Sequence, residues 1–392
     1  MNRAQSKSLD RMEQPSRDVR RFDVPGGLLL LDQAANTLFA YNDVALCIWD
    51  LIEAGRSEAE IVAAVAGRWR IATSLAQEDI RVIVALWRTQ GLLTGTDARP
   101  PHGPTASASA VPALSFEPPA QWTCTIRGIP IAFAVDAELL APVRALFSHL
   151  ETPGVPPHVR MTIARTPSGE LALVEDGRER LRTDEPTLVV GALYVAVLER
   201  IRPGLHWFAL MHGAALARNG QGLALVGSSG AGKSTLAAGL IGAGFDYLAD
   251  DLVALSAPDG AIEPWPLPLS VKAGSLEVLL AQYPELAQAP RYLSKGLDAR
   301  LLVPAADVWD AEPVRLRTLL FPRFAASAPP ALRRLSTFQA LERLLTDRVW
   351  LGDPITEDRV TSFLAWLDGT PAYDVSYGTL VDAMRLIKSV VP

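Results

Sequence analysis

The run Gly227-Ser228-Ser229-Gly230-Ala231-Gly232-Lys233-Ser234 matches the pattern G-x-x-x-x-G-K-[ST] at every fixed position. Glycines at those spacings let the backbone curl so that successive N–H groups point at phosphate oxygens. Lys233 is of the length and charge to reach β- and γ-phosphates, and the Ser234 hydroxyl suits Mg²⁺, with Thr235 following directly. The apolar residues Leu223, Ala224, Leu225 and Val226 precede the loop and read as a buried strand. LAAGLIGAG follows with helical spacing and ends on glycines suited to a C-cap. A strand before and a helix after put the loop at a helix N-terminus, whose positive end adds to the attraction. Residues 227–235 are therefore expected to bind ATP with Mg²⁺.

Two further groups could do chemistry beside such a loop. Asp250 and Asp251 interrupt the otherwise apolar FDYLADDLVAL, where burial is costly unless a cation or hydrogen-bond donor meets them. A phosphate–metal site supplies both; a solvated turn is the alternative. His212-Gly213 closes the apolar stretch FALM, and Ala214–Ala217 with Gly222–Val226 reads as a hairpin feeding the loop. A histidine at a strand end can equally be satisfied structurally. The five histidines show no metal-ligand spacing.

Composition narrows the function classes. With 392 residues, 49% of them apolar, the chain can fill two or three cores. A formal net charge of -6 argues against bulk nucleic-acid binding, and no apolar run approaches a membrane span. The N-terminus is charged and lacks an apolar signal region, so residues 1–19 are expected to be a disordered tail. Cys47 and Cys124 lie in apolar surroundings and are expected as buried free thiols, which fits a cytoplasmic location.

Before the linker the chain reads as short strands and three helices. FDVPGGLLLLDQAANTLFAYN carries apolar runs broken by Pro25-Gly26-Gly27 and by residues 32–36. Asn42 can cap a helix with Val44, Ala45, Ile48, Trp49 and Ile52 on one face. Ser57 and Glu60 form a capping box for a second helix, and a third spans about 77–89 with Ile80, Ile83, Val84 and Trp87 as its stripe. This layout is winged-helix-like. A DNA-reading helix would be basic, yet 77–90 holds Glu78, Asp79, Arg81 and Arg88 with no net positive charge. The hairpin, N-x-x-A-x-x-I-W at 42–49 and the closing pattern at 79–92 resemble the PqqD-like peptide chaperones, the recognition elements of ribosomally made, modified peptides. The resemblance implies that residues 20–95 capture the leader of a precursor peptide by strand addition, between the sheet edge and the third helix. A purely structural appendage is the plainer reading.

Residues 96–119 are rich in Pro, Ala, Ser and Thr and read as a linker. Residues 120–185 show two hairpins and a helix capped by Asp136, with no chemical motif, and read as a small segment packed on the nucleotide core. From about 206 onward the chain resembles HPr kinase/phosphorylase and its relatives, including kinases of lasso-peptide pathways. The matching pieces are H-G at 212–213, G-S-S-G-A-G-K-S at 227–234 and A-D-D at 249–251, and more weakly 264–275, 319–324, 335–341 and 372–378. The resemblance implies that Asp250 takes the proton of the attacking hydroxyl, Asp251 sits near the metal and His212 lies beside the reacting phosphoryl. Where HPr kinases proper carry a glutamate–arginine signature, this chain has Leu269-Ser270-Val271-Lys272-Ala273-Gly274. The phosphorylase reaction and the family's hexamer are therefore not implied, though a homo-oligomer stays open. Lys272, and Lys295 with it, could contact phosphate instead.

The expected architecture is α/β: a P-loop, HPr-kinase-like (PEP-carboxykinase-like) core over 186–392, with an N-terminal winged-helix-like PqqD domain. The expected function is ATP-dependent phosphorylation of a Ser or Thr hydroxyl on a precursor peptide. The rivals are a kinase for a small-molecule hydroxyl and a non-catalytic, nucleotide-switched peptide chaperone. Neither nucleic acid nor membrane is an expected partner.

Overall fold

The computed structural model describes residues 13–93, 121–294, 297–305, 308, 311–347 and 349–391. The chain divides into two compact units. The first is built from the described residues of Met1–Gly103 together with Leu335–Thr346 and Leu351–Gly369; the second takes Pro104–Arg334, Asp347–Trp350 and Thr370–Pro392. The expected 96–119 linker and Lys295 lie outside the described residues.

In the first unit, strands Val19–Val24, Gly27–Asp32 and Thr37–Asn42 form an antiparallel meander. Asn42 then accepts from the N–H groups of Val44 and Ala45, starting the helix Asp43–Glu53. Ser57 and Glu60 close a full capping box on Glu58–Trp69. The third helix, Thr73–Thr89, begins a turn before the expected 77. Leu28 and Leu30 of the middle strand join Ile48, Trp49, Ile61 and Trp87 in one core. Alternation sends Leu29 and Leu31 to the opposite face, and they are just as buried.

That second face has its own cover. Helices Thr337–Thr346 and Glu357–Asp368 belong to this unit, although the expected boundaries assign them to 186–392. The Phe338 ring lies so close to Gly27 that a Cβ there would come within 2.5 Å of it. Asn36 accepts from the Ile355 N–H at 2.6 Å, and Arg20 pairs with Glu357 at 2.9 Å. Four consecutive leucines are what a strand covered on both faces requires. The tail expected over 1–19 also differs at its described end. The Ser16 N–H donates to the Leu92 carbonyl at 2.9 Å, and Glu13 pairs with Arg88 at 3.0 Å.

The second unit holds two larger sheets. Strands Gln121–Ile126, Ile129–Val135, Val159–Arg165, Leu171–Glu175 and Arg178–Thr183 form one in chain order, with the helix Ala137–Phe147, capped by Asp136, joining its parallel pair. Trp122, Phe133, Phe147 and Trp265 run as a chain of rings with centroids 5.5, 5.0 and 6.2 Å apart. Trp265 donates its backbone N–H to Leu248, so this segment abuts the strand that carries Asp250.

The main sheet is organised around Gln221–Val226. On one side it pairs antiparallel with Gly213–Arg218, which pairs in turn with Asp246–Asp250. On the other it runs parallel to Val314–Phe324, itself parallel to Ala372–Tyr377. Leu225, Leu320 and Val375 from these strands pack with Leu236 and Leu240 of the helix Lys233–Gly242 in one buried cluster. Strand, loop and helix follow in the order the sequence predicts.

Candidate functional site: the glycine loop and its acidic partner

The loop leaves the sheet at the carboxyl end of Gln221–Val226 and turns directly into Lys233–Gly242. Gly230 (φ 91°) and Gly232 (φ 95°) take left-handed conformations, and Gly232 is the N-cap. A Cβ at Gly232 would sit 2.4 Å from the Tyr377 hydroxyl, so close approach as well as conformation requires glycine there. No side chain caps this helix. Its first N–H groups face the cradle, the arrangement that receives phosphate oxygens at a helix N-terminus.

Lys233 is buried, and its Nζ donates to the loop carbonyls of Gly227 and Ser228. The ammonium thus lies across the cradle that the loop encloses. Ser234 Oγ donates to both carboxylate oxygens of Asp250, at 3.1 and 3.4 Å. Asp250 is 3% exposed. Burial pushes its carboxyl well above the usual carboxylate range, and the neighbouring Asp251 charge adds to the rise, while Ser234, the Asp251 N–H and Lys233 oppose it. A hydroxyl and a carboxylate side by side at the end of the loop are oxygen donors of the kind a hydrated Mg²⁺ takes beside phosphate. The residues fit that ion.

Asp251 adopts φ 66° and turns its side chain outward, where it is half exposed. This left-handed residue ends Asp246–Asp250 and lets the two carboxylates diverge. His212 Nδ1 lies 3.1 Å from the Asp251 carbonyl and 3.8 Å from its carboxylate. The shorter contact is the hydrogen bond. A carbonyl can only accept, so Nδ1 carries the proton in the neutral ring. Lys272 Nζ reaches Ser229 Oγ at 3.1 Å, at the tip of the loop, and Thr235 Oγ1 reaches Ser275 Oγ at 2.6 Å.

The structure therefore brings Lys233, Ser234 and Asp250 into one contact network. It sets His212 with Asp251 and places Lys272 on the loop. Ser234 meets Asp250 and not Asp251. Tyr377 and Phe324 also approach Gly232, and neither was expected as a site residue. They come from strands far along the chain, and no spacing rule ties them to the loop. Among the described residues no cluster of three His, Cys, Asp or Glu could hold a metal. A cavity of about 500 Å³ lined by Phe245, Tyr247, Tyr283 and Leu302 includes no loop residue.

Residues 27–93 match the family model of PqqD, coenzyme PQQ synthesis protein D. The chain is thus mixed α/β with a PqqD domain at its N-terminus. Among solved structures, TbiB1 in complex with the TbiA(beta) leader peptide is similar at 25% identity, over 22% of this chain and 99% of that one, with a TM-score of 0.21. The Hpr(Ser) kinase/phosphatase from Coxiella burnetii is similar at 14% identity, over 46% of this chain and 96% of that one, with a TM-score of 0.23. No curated protein matches the chain. Among the described residues no helix is long and apolar enough to cross a membrane.

Proposed function

We propose that this chain is an ATP-dependent kinase that phosphorylates a Ser or Thr hydroxyl on a precursor peptide, held by its leader on the PqqD domain. The single observation that carries the reading is the network of Lys233, Ser234 and Asp250 at the mouth of the glycine loop. Loop amides and Lys233 hold the β- and γ-phosphates. Ser234, beside the Asp250 carboxylate, would hold Mg²⁺, which when bound would supply charge neutralisation at the transferred phosphoryl, whereas Asp251, expected at the metal, turns away from Ser234. Asp250 accepts the proton from the attacking hydroxyl as its oxygen bonds to the γ-phosphorus and the bond to the β–γ bridging oxygen breaks. In this reading Lys272, in contact with Ser229 of the loop, and His212, in contact with Asp251, steady phosphate oxygens. The PqqD match, and a leader-bound structure among the similar proteins, support the peptide half of the reading.

Joining capture and transfer in one chain has a physical reason. A leader bound nearby raises the effective concentration of the acceptor residue to the order of mM for a short flexible tether.

The test uses the full chain, ATP with Mg²⁺, and a candidate precursor peptide with and without its leader. Intact mass is expected to rise by one phosphate, only with the leader and only with Asp250 in place. Phosphorylation of free hydroxy compounds without any peptide would favour a small-molecule kinase. Bound but untransferred nucleotide would favour a switched chaperone.

A further inference from the structure

We propose that Phe324 is the platform on which the nucleobase stacks. The inference rests on the nucleotide-binding reading of the glycine loop and deepens it.

Phe324 is the last residue of Val314–Phe324, the parallel neighbour of the strand that feeds the loop. In sheets of this kind ligands lie outside the carboxyl ends of the parallel strands, where the loop itself lies. Alternation puts Phe324 on the same sheet face as Leu320, which packs against Leu236 and Leu240 of the loop helix. The strand runs on past that packing, so its last side chain reaches the N-cap of the loop helix. The Phe324 Cβ lies 3.8 Å from where a Gly232 Cβ would be. Its ring is therefore rooted beside the N-cap that receives phosphate.

The ring is also held and left open. It sits 5.7 Å from the buried Tyr377 ring at 54°, paired across the parallel strands. The segment that follows is tied down by the Ala325 N–H on the Tyr377 carbonyl at 3.1 Å. A Cβ at Gly378 would meet the carbonyls of Ala326 and Ala328 at 2.9 and 3.0 Å, so the turn is closely packed. Phe324 nonetheless stays 54% exposed. A rigidly anchored aromatic face, bare to solvent and next to a phosphate cradle, matches the one part of a nucleotide that is flat and apolar. Base stacking on an aromatic side chain is tolerant of base identity, so nucleoside triphosphates in general, set apart from bare polyphosphate, are the ligand class.

The test compares ATP with inorganic tripolyphosphate, both with Mg²⁺, by calorimetric titration of the full chain. In the unaltered protein both ligands bind, ATP more tightly. Phe324→Ala is expected to weaken ATP about tenfold or more and to leave tripolyphosphate unchanged, while Phe324→Tyr restores ATP binding. Unchanged ATP affinity in Phe324→Ala overturns the proposal, as does equal weakening of both ligands, which would mean a disturbed loop. Weakened peptide affinity with unchanged ATP affinity overturns it too, assigning the ring to the acceptor. If the unaltered protein binds neither ATP nor tripolyphosphate, the nucleotide reading of the loop itself fails, and this inference with it.

Discussion

Lys233 and Asp250 make opposite demands on the same loop, and substitution separates them. Lys233→Ala removes the ammonium that lies across the loop carbonyls and is expected to lower phosphoryl transfer about a hundredfold or more, with weaker ATP binding by titration. Asp250→Asn keeps the shape and the Ser234 contact while removing the base. Nucleotide binding should persist and the peptide's mass should not change. Gly232→Ala meets two obstacles, a left-handed φ of 95° and the Tyr377 hydroxyl 2.4 Å away. Loss of ATP binding is expected without loss of the fold. Tyr377→Phe added to it should restore part of that binding, because the ring carbon behind the hydroxyl lies at an ordinary 3.6 Å. If the pair binds no better than Gly232→Ala alone, backbone strain is the whole cause.

Elements outside the loop carry their own expectations. His149 follows Phe147 of the aromatic chain, and burial pushes its imidazole down to about 4. The folded state holds it neutral, whereas the unfolded chain protonates it near the ordinary 6.5. Its contribution to stability is therefore complete above about 6.5 and fades as pH falls toward 4. The melting temperature should drop between pH 6.5 and 5, and His149→Gln should flatten that part of the curve. Cys124 is buried beside the same rings, with its thiol pushed up to about 12 mainly by desolvation. It should resist alkylation at pH 8 until the chain is unfolded, as read by mass. In the first unit, Phe338→Ala empties the space beside Gly27 and is expected to cost about 3 kcal/mol in denaturant titration.

Across the whole molecule, local signals and distant ones differ in how legible they are. The capping box at Ser57, the cap at Asn42 and the glycine loop are each written within a few residues, and each forms as the spacing predicts. Asp250 is legible for the same reason, since a carboxylate inside an apolar strand needs a polar neighbour, and Ser234 is that neighbour. Tyr377 and Phe324 are legible only as parts of the weakly matching segments 319–324 and 372–378; their place beside Gly232 comes from strand pairing, which no local spacing announces. The cover of the second sheet face is half legible. Leu28 to Leu31 announce two buried faces, but not that residues 337–346 and 357–368 supply one of them.

That arrangement bears on how the protein is made. A ribosome releases the leucine strand about 300 residues before the helices that shield it. At 5–20 residues per second the delay is on the order of tens of seconds. Throughout it the nascent chain displays Leu29 and Leu31 without their partners, an apolar surface prone to aggregation. Synthesis slowed after residue 93 should lengthen that exposure, and the yield of soluble protein should fall with it.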